Sequence, residues 1–179
     1  MTGTMPLQVS WSAVPGLTYA IPHPEKLGQD RIADAVWAAR RYPLPVLTVD
    51  MGSATTCNVI GTGGVFLGGM ISPGIATGLQ MLSTKTAQLP LVELGKESHL
   101  IGRDTTECLL SGATYGVAAM VDGLAERVSE ELGAPVTVVL TGGLAGYVAP
   151  LCRCAYTYDP DHLTKGLAFL YDMERKNLF

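Results

Sequence analysis

Two short segments of the sequence carry residue types suited to binding phosphate. Residues 49–56 read Val-Asp-Met-Gly-Ser-Ala-Thr-Thr, so Asp50 ends an apolar run and is followed by a glycine and several hydroxyls. In such a turn, backbone amides and hydroxyls can face a phosphate while the carboxylate faces a cation. Residues 140–144, Leu-Thr-Gly-Gly-Leu, end a second apolar run, and amides at a helix start attract anions. Taken alone, each segment also fits ordinary turn chemistry.

A third segment, Leu27-Gly28-Gln29-Asp30-Arg31, combines a carboxylate and a guanidinium at the start of a predicted helix. Phosphoryl transfer to an alcohol needs a positioned alcohol, cations over the phosphates and a carboxylate near the attacking oxygen. Asp30 could supply that carboxylate, and Arg31 suits a carboxylate or amide oxygen of a ligand. The alternative is a plain helix N-cap, with Asp30 paired to Arg31 on the surface.

The elements that must position these segments follow from apolar periodicity and from glycine and proline. Residues 1–26 are rich in proline, which predicts an irregular stretch with at most one short strand. Asp104 and Glu107 form a capping box, which predicts the start of a long helix that Gly133 ends. The pattern predicts strands over 46–50, 55–60, 65–71 and 136–140, the first three as an antiparallel meander, and helices over 28–41, 75–82, 104–132, 144–149 and 161–176. Hairpins followed by alternating helix and strand are typical of a three-layer α/β domain.

The order of these segments resembles a known kinase family. An Asp-x-Gly-Ser hairpin followed by a Thr-Gly-Gly turn resembles the second half of the actin-hexokinase-acetate kinase fold. Six motifs in series resemble the type III pantothenate kinases, and the match runs from about Pro24 to the C-terminus. The motifs are Gly28-Gln29-Asp30-Arg31, residues 50–56, 68–74, 86–90 and 101–105, and Thr141-Gly142-Gly143.

The resemblance implies a fold and a function. The fold would be α/β, an RNase H-like (actin-like ATPase) mixed sheet flanked by helices. Residues 46–179 would form the second domain of a two-domain kinase, and residues 1–45 a remnant of the first. The implied reaction is the ATP-dependent phosphorylation of pantothenate to 4′-phosphopantothenate, the first step of coenzyme A biosynthesis. Mg²⁺ and a monovalent cation, K⁺ or NH₄⁺, would accompany ATP.

The resemblance also implies roles for the residues that match the family motifs. Asp30 would accept the proton of the pantothenate hydroxyl, and Asp50 would bind the monovalent cation. Pantothenate would contact Gly28, Gln29, Asp30, Arg31 and Thr105. ATP would contact Ser53, Thr55, Gly142 and Gly143.

Departures from the family pattern lead to further expectations. The family's first phosphate loop, Asp-x-Gly-Asn-[Thr/Ser], has no counterpart before Asp50, so we expect a truncated kinase that phosphorylates slowly or not at all. Ser53 stands where the family has Thr, and Ile21 stands where it often has Tyr. The alternatives are an inactive remnant or regulatory binding protein of the same family, or a sugar or carboxylate kinase of the same fold.

Composition bounds the partners and the location. A net charge of −4 without a Lys/Arg stripe argues against nucleic acid as a partner. The sequence has no apolar run of ~18 residues and no signal-peptide pattern in residues 1–15, so we expect no membrane partner and a cytoplasmic location. The four cysteines and three histidines lack a zinc spacing, and we expect free thiols and surface positions for His23, His99 and His162.

Small residues recur along the longest predicted helix, at Gly112, Ala113, Gly116, Ala119 and Gly123. Such a stripe indicates close packing, either within the chain or against a second copy. The family resemblance implies a homodimer with its sites near the subunit boundary.

Overall fold

A mixed six-stranded sheet organises the chain, and the computed structural model describes residues 9, 11–14, 16–95 and 99–176. The strands are β1 (Thr18–Tyr19), β2 (Val46–Met51), β3 (Ala54–Gly61), β4 (Val65–Pro73), β5 (Thr137–Thr141) and β6 (Tyr156–Tyr158). Their order in the sheet is β1-β4-β3-β2-β5-β6. β2, β3 and β4 are antiparallel neighbours, which confirms the predicted meander. The other pairs are parallel: β1 with β4, β5 with β2, and β6 with β5.

Helices cover both faces of this sheet. They are α1 (Gln29–Arg41), α2 (Ile75–Lys85), α3 (Thr105–Leu132), α4 (Ala145–Val148) and α5 (His162–Arg175). On one face, Val36 of α1 and Leu170 of α5 share a core cluster with Phe66 of β4. On the other face, Val121 of α3 packs with Leu140 of β5. Every predicted strand and helix is present, and the predicted α/β fold with a mixed, helix-flanked sheet is confirmed.

The ends of α3 follow from side-chain and backbone capping. The carboxylate of Asp104 accepts a 2.8 Å hydrogen bond from the backbone N–H of Glu107, and Glu107 Oε2 accepts one of 2.8 Å from Arg103 N. At the other end, Gly133 adopts a left-handed conformation with φ of 63°. Its N–H donates to the backbone oxygen of Glu130, so an otherwise open carbonyl is satisfied. The predicted N-cap at Asp104 and the glycine stop are confirmed, whereas Glu107 accepts from the amide before the N-cap instead of closing the capping box on Asp104.

Among the described residues, one helix, α3, is long and apolar enough to cross a membrane by length and composition alone. The criterion is mean hydropathy, and polar residues interrupt this helix, so the absence of an unbroken apolar run of ~18 residues still holds. The finding is weak evidence for a span, because core helices of soluble proteins pass the same test. In the apolar window of α3, 33% of the residues are buried inside the structure.

Two features differ from the prediction. β6 was not predicted, because its three residues, Tyr-Thr-Tyr, are exposed at the sheet edge and too few for a strand pattern. His162 is 0% exposed, whereas a surface position was expected. Its ring stacks on Tyr42 with centroids 5.8 Å apart, and its Nε2 lies 3.0 Å from the backbone oxygen of Asp34. His162 therefore joins the start of α5 to α1, while His23 and His99 are exposed as predicted.

The segment predicted as a remnant of the first domain is integrated into the same layers. β1 extends the sheet by pairing with β4, and α1 packs against α5. A Cβ at Gly166 of α5 would overlap the backbone oxygen of Ala33, so the two helices approach closely there. The boundary at residue 45 remains a prediction about the family's domains.

Candidate active site

α1 begins beside the candidate catalytic carboxylate. Gly28 is the N-cap residue, and Asp30 Oδ1 in the first turn accepts a 2.8 Å hydrogen bond from Arg31 N. A Cβ at position 28 would stand 2.5 Å from Asp30 Oδ1, so the glycine leaves the space that the carboxylate occupies. Gln29 and Asp30 are both exposed. Asp30 is thus not the N-cap residue, and its carboxylate lies at the positive end of the helix.

The guanidinium of Arg31 lies against the sheet. Its Nε donates a 2.7 Å hydrogen bond to Asn58 Oδ1 on β3, and its Cζ lies 5.5 Å from the centroid of the Phe66 ring. Burial lowers the pKa of Arg31, but an arginine stays charged at neutral pH. The site therefore presents a fixed and partly desolvated cation next to Asp30.

Three carboxyl groups influence one another at this end of the sheet. Asp50 is half-buried at the end of β2, and burial, followed by the charge of Asp30, raises its pKa. Asp34 lies one turn after Asp30 on α1 and is 1% exposed, and its Oδ1 has no hydrogen-bond partner. Burial, followed by the charges of Asp50 and Asp30, raises the pKa of Asp34 to about 8. Like charges disfavour one another's ionised forms, so a bound cation would relieve this cluster.

The glycine turn after β5 packs directly on the turn that carries Asp50. β5 runs parallel to β2, and Asp50 is the register partner of Thr141. Gly142 has φ of 92°, and a Cβ there would overlap Asp50 Oδ1 and stand 2.5 Å from Met51 N. The backbone N–H of Leu144 donates a 3.1 Å hydrogen bond to Met51 O. The structure therefore brings together two candidate motifs that lie far apart in the sequence.

Ser53 and Thr55, the predicted ATP contacts of the first turn, lie in different environments. Ser53 is exposed, and its backbone oxygen accepts hydrogen bonds from Thr77 Oγ1 (2.7 Å) and Gly74 N (3.2 Å) at the start of α2. Thr55 is 1% exposed, so its hydroxyl is closed to solvent. The turn thus presents Ser53 to solvent next to the N-terminus of a helix, while Thr55 belongs to its packed base.

Thr105, the predicted substrate contact on α3, lies away from α1. It follows the N-cap residue Asp104 and is exposed. α3 packs on the face of the sheet opposite to α1, and among the described residues no hydrogen bond joins Thr105 to the other candidate residues. Within one chain, the structure therefore groups Asp30, Arg31, Asp50 and Gly142 but not Thr105.

Sequence reasoning missed the polar residues beneath the site. Asn58 and Thr48 are 0% exposed, and Asn58 Nδ2 lies 3.3 Å from Thr48 Oγ1. Asn58 interrupts the apolar run Cys57 to Ile60, which is the signal that could have drawn attention to it. Asp34 is four residues after Asp30, a spacing that places both side chains on one face of a helix. That spacing could have drawn attention to Asp34.

Fold and site together define an α/β chain of the actin-like ATPase type, with two turns and a carboxylate-bearing helix at one end of its sheet. A crystal structure from Campylobacter jejuni, described as a member of the Baf family of transcriptional activators, aligns with 92% of this chain and 71% of its own chain. The TM-score is 0.59 at 24% sequence identity, which supports the fold alone.

Sequence comparison identifies the family. The model of the family described as type III pantothenate kinase matches residues 2–127. A type III pantothenate kinase of Moorella thermoacetica is 36% identical over 95% of this chain and 67% of its own length. One of Myxococcus xanthus is 40% identical over 88% of this chain and 63% of its own length. The chain belongs to the type III pantothenate kinase family, and it spans roughly two thirds of the length of these curated relatives.

We predict that Gly142 and its neighbour Gly143 respond differently to alanine. Gly142→Ala should lower the free energy of unfolding by about 1–3 kcal/mol, because φ is positive and the new Cβ meets Met51 backbone. A Cβ at Gly143 would meet no atom of the described residues within 4 Å. Gly143→Ala should therefore change the free energy of unfolding by less than about 1 kcal/mol. Urea denaturation measures both values. Equal losses for the two variants would refute the close approach of the turns.

We also predict that Asp34 makes stability depend on pH. Its pKa is raised from 3.8 to about 8, so the folded state holds a proton that the unfolded chain releases between these values. The resulting stabilisation is complete below the unfolded pKa and is lost as pH rises towards the folded pKa. Asp34→Asn cannot ionise, so between about pH 5 and about pH 8 it should lose less stability than wild type, by on the order of 4 kcal/mol.

Urea denaturation across this pH range measures the effect. The exposed Asp172→Asn on α5 controls for the removal of one negative charge. Parallel pH profiles for wild type and Asp34→Asn would show that Asp34 does not carry the effect.

Proposed function

We propose that this chain catalyses the ATP-dependent phosphorylation of pantothenate to 4′-phosphopantothenate, the first step of coenzyme A biosynthesis. The observation that carries the proposal is the grouping of Asp30 and Arg31 on α1 with Asp50 at the end of β2. In this grouping, Asp30 can accept the proton of an alcohol, Arg31 can bind a polar group of the substrate, and Asp50 can bind a cation. Membership of a family named for pantothenate kinases supports the same substrate.

Asp30 and Arg31 would act on pantothenate together. Arg31 would bind the carboxylate or amide oxygen of pantothenate and hold its hydroxyl beside Asp30. Asp30 would accept the hydroxyl proton while the oxygen bonds to the γ-phosphorus, and ADP leaves with the electron pair of the broken P–O bond. Because the transition state is loose, the orientation of the alcohol matters more than the strength of the base.

The two turns would form the nucleotide side of the site. Gly143 is exposed with open space where a side chain would be, so a flat base could lie against its backbone. Ser53 is exposed beside the start of α2, and the positive end of that helix would attract a phosphate. Thr55 would shape the turn from beneath, because its hydroxyl is buried.

The carboxylates fit a cation, which would neutralise charge on the phosphates when bound. Asp50 is half-buried, and the negative charge of Asp30 acts on it, so a cation would offset the charge of these two carboxylates. Among the described residues, no group of three or more metal-ligating side chains is arranged to hold a metal. That finding suits Mg²⁺, which commonly binds through one or two carboxylates and substrate phosphates. Asp50 would hold K⁺ or NH₄⁺.

The assay for the proposal combines the chain with ATP, Mg²⁺, K⁺ and pantothenate and detects 4′-phosphopantothenate by mass spectrometry. We predict that Asp30→Asn lowers the rate at least about 100-fold, because the proton acceptor is lost. Asp172→Asn, an exposed carboxylate on α5, should keep the wild-type rate. The measured rate also tests the expectation of weak activity. Phosphorylation of a hexose offered instead of pantothenate in a parallel assay, or an unchanged rate in Asp30→Asn, would contradict the assignment.

We propose further that two copies form a homodimer through α3. Gly112, Gly116 and Ala119 are exposed, and among the described residues no atom beyond the adjoining helix backbone lies within 4 Å of a Cβ built at either glycine. Ala113 packs against the core of its own chain, whereas the exposed small residues of the stripe remain available to a second copy. A second copy could also bring its Thr105 to the substrate side of Asp30, which one chain does not achieve.

We predict that the wild-type chain sediments with twice the mass of one chain, and that Gly116→Arg weakens self-association at least about tenfold through steric overlap. Gly78→Arg on α2, another helical glycine with open space, is the matched control and should leave the mass unchanged. Wild-type sedimentation as a single chain at assay concentrations would refute the homodimer.

A further inference from the structure

A chain of buried hydrogen bonds runs from the candidate substrate side into the sheet. Arg31 Nε donates to Asn58 Oδ1 at 2.7 Å, and Asn58 Nδ2 donates to Thr48 Oγ1 at 3.3 Å. Asn58 and Thr48 are both 0% exposed, on the neighbouring strands β3 and β2, where they are register partners. The orientation of the guanidinium therefore depends on a side chain that no ligand can touch.

Asn58 is not a residue that packing alone would favour at this position. It lies between Cys57 and Val59, which are both buried and apolar, and a buried amide is costly unless it is hydrogen-bonded. Its two hydrogen bonds go to Arg31 and Thr48. Asn58 thus joins the sheet to α1 through Arg31, the residue next to the candidate base Asp30.

Two further neighbours, Phe66 and Gly69, lie against the Arg31 guanidinium. The Phe66 ring lies 5.5 Å from Cζ. Gly69 is the register partner of Asn58 on β4, and a Cβ there would overlap Cys57 O and stand 3.0 Å from Arg31 Nη2. Since Asn58 engages Nε, the two Nη groups are left to meet a ligand.

We propose that Asn58 is a positioning residue for substrate recognition. It acts through Arg31, whose guanidinium it orients so that the Nη groups meet an oxygen of pantothenate. The inference rests on the proposed function for its ligand, whereas the contact itself is read from the structure. Thr48 supports the arrangement by anchoring the amide of Asn58.

The test is a double-mutant cycle on pantothenate affinity, measured by calorimetry on the full chain. Asn58→Ala should raise the Kd roughly tenfold, because a charge-assisted hydrogen bond that orients Arg31 is lost. Asn58→Asp keeps an oxygen acceptor for Nε and should stay within about threefold of wild type. In an Arg31→Ala background, Asn58→Ala should have no further effect, because its route to the ligand is gone.

Controls separate positioning from folding. Ser129→Ala on α3 removes two part-buried hydrogen bonds far from the site, to Ala125 O and from Val136 N, and should leave the Kd unchanged. In ligand-free protein, the Arg31 Nε–H proton should give a protected NMR signal that Asn58→Ala loses and Asn58→Asp keeps.

Each outcome decides the matter. A tenfold loss with rescue by Asn58→Asp and no additivity with Arg31→Ala supports the inference. If the wild-type chain binds pantothenate and Asn58→Ala binds it equally well, the inference is overturned. The inference is also overturned if the losses from Asn58→Ala and Arg31→Ala add in the double mutant. In both cases the proposed function still stands. Absence of pantothenate binding by the wild-type chain overturns the proposed function and the inference with it, even if the NMR signal shows the contact.

Discussion

The buried polar layer between α1 and the sheet is the constraint on which the candidate site depends. A helix on a sheet ordinarily buries apolar side chains, and further along α1 Val36 does so. The first turn of α1 instead places Arg31 on Asn58, which in turn contacts Thr48. Polar groups in such a place are costly unless they are paired, so α1 has little freedom to shift along the strands. Asp30, on the exposed side of the same turn, inherits this fixed position.

A second constraint, the parallel pairing of β5 with β2, completes the site. It places the glycine turn after β5 directly on the turn after β2, where only a residue without a side chain leaves room for Asp50. α5 then holds α1 in place through His162, which lies 3.0 Å from the backbone oxygen of Asp34, and through the close approach at Gly166. Each predicted motif thus depends on neighbours from distant parts of the chain.

The sequence predicted elements better than contacts. Strands and helices could be recognised because their signals are local: apolar periodicity, the capping box at Asp104, and glycine at position 133. β6 was missed because three exposed residues carry no such signal. His162 was misplaced because burial of a histidine depends on partners such as Tyr42, far away in the sequence.

The candidate site shows the same division. Asp30, Asp50 and Gly142 were found because each belongs to a short motif with its own turn chemistry. Asn58 and Asp34 were not, since their importance arises only when α1 is laid across β2 and β3. The direction in which α3 carries Thr105 likewise follows from layer order, which no local pattern encodes. A residue that acts by positioning another side chain, as Asn58 does, can be recognised only from the tertiary contact between the two.

The most direct test of the central claim is a crystal structure of the chain with pantothenate, a non-hydrolysable ATP analogue and Rb⁺, which replaces K⁺ and is visible by anomalous scattering. The account predicts the pantothenate hydroxyl within hydrogen-bond distance of Asp30, its carboxylate or amide oxygen on Arg31, and an anomalous peak at Asp50. Pantothenate bound away from α1, or a nucleotide bound away from the Asp50 and Gly142 turns, would contradict the account.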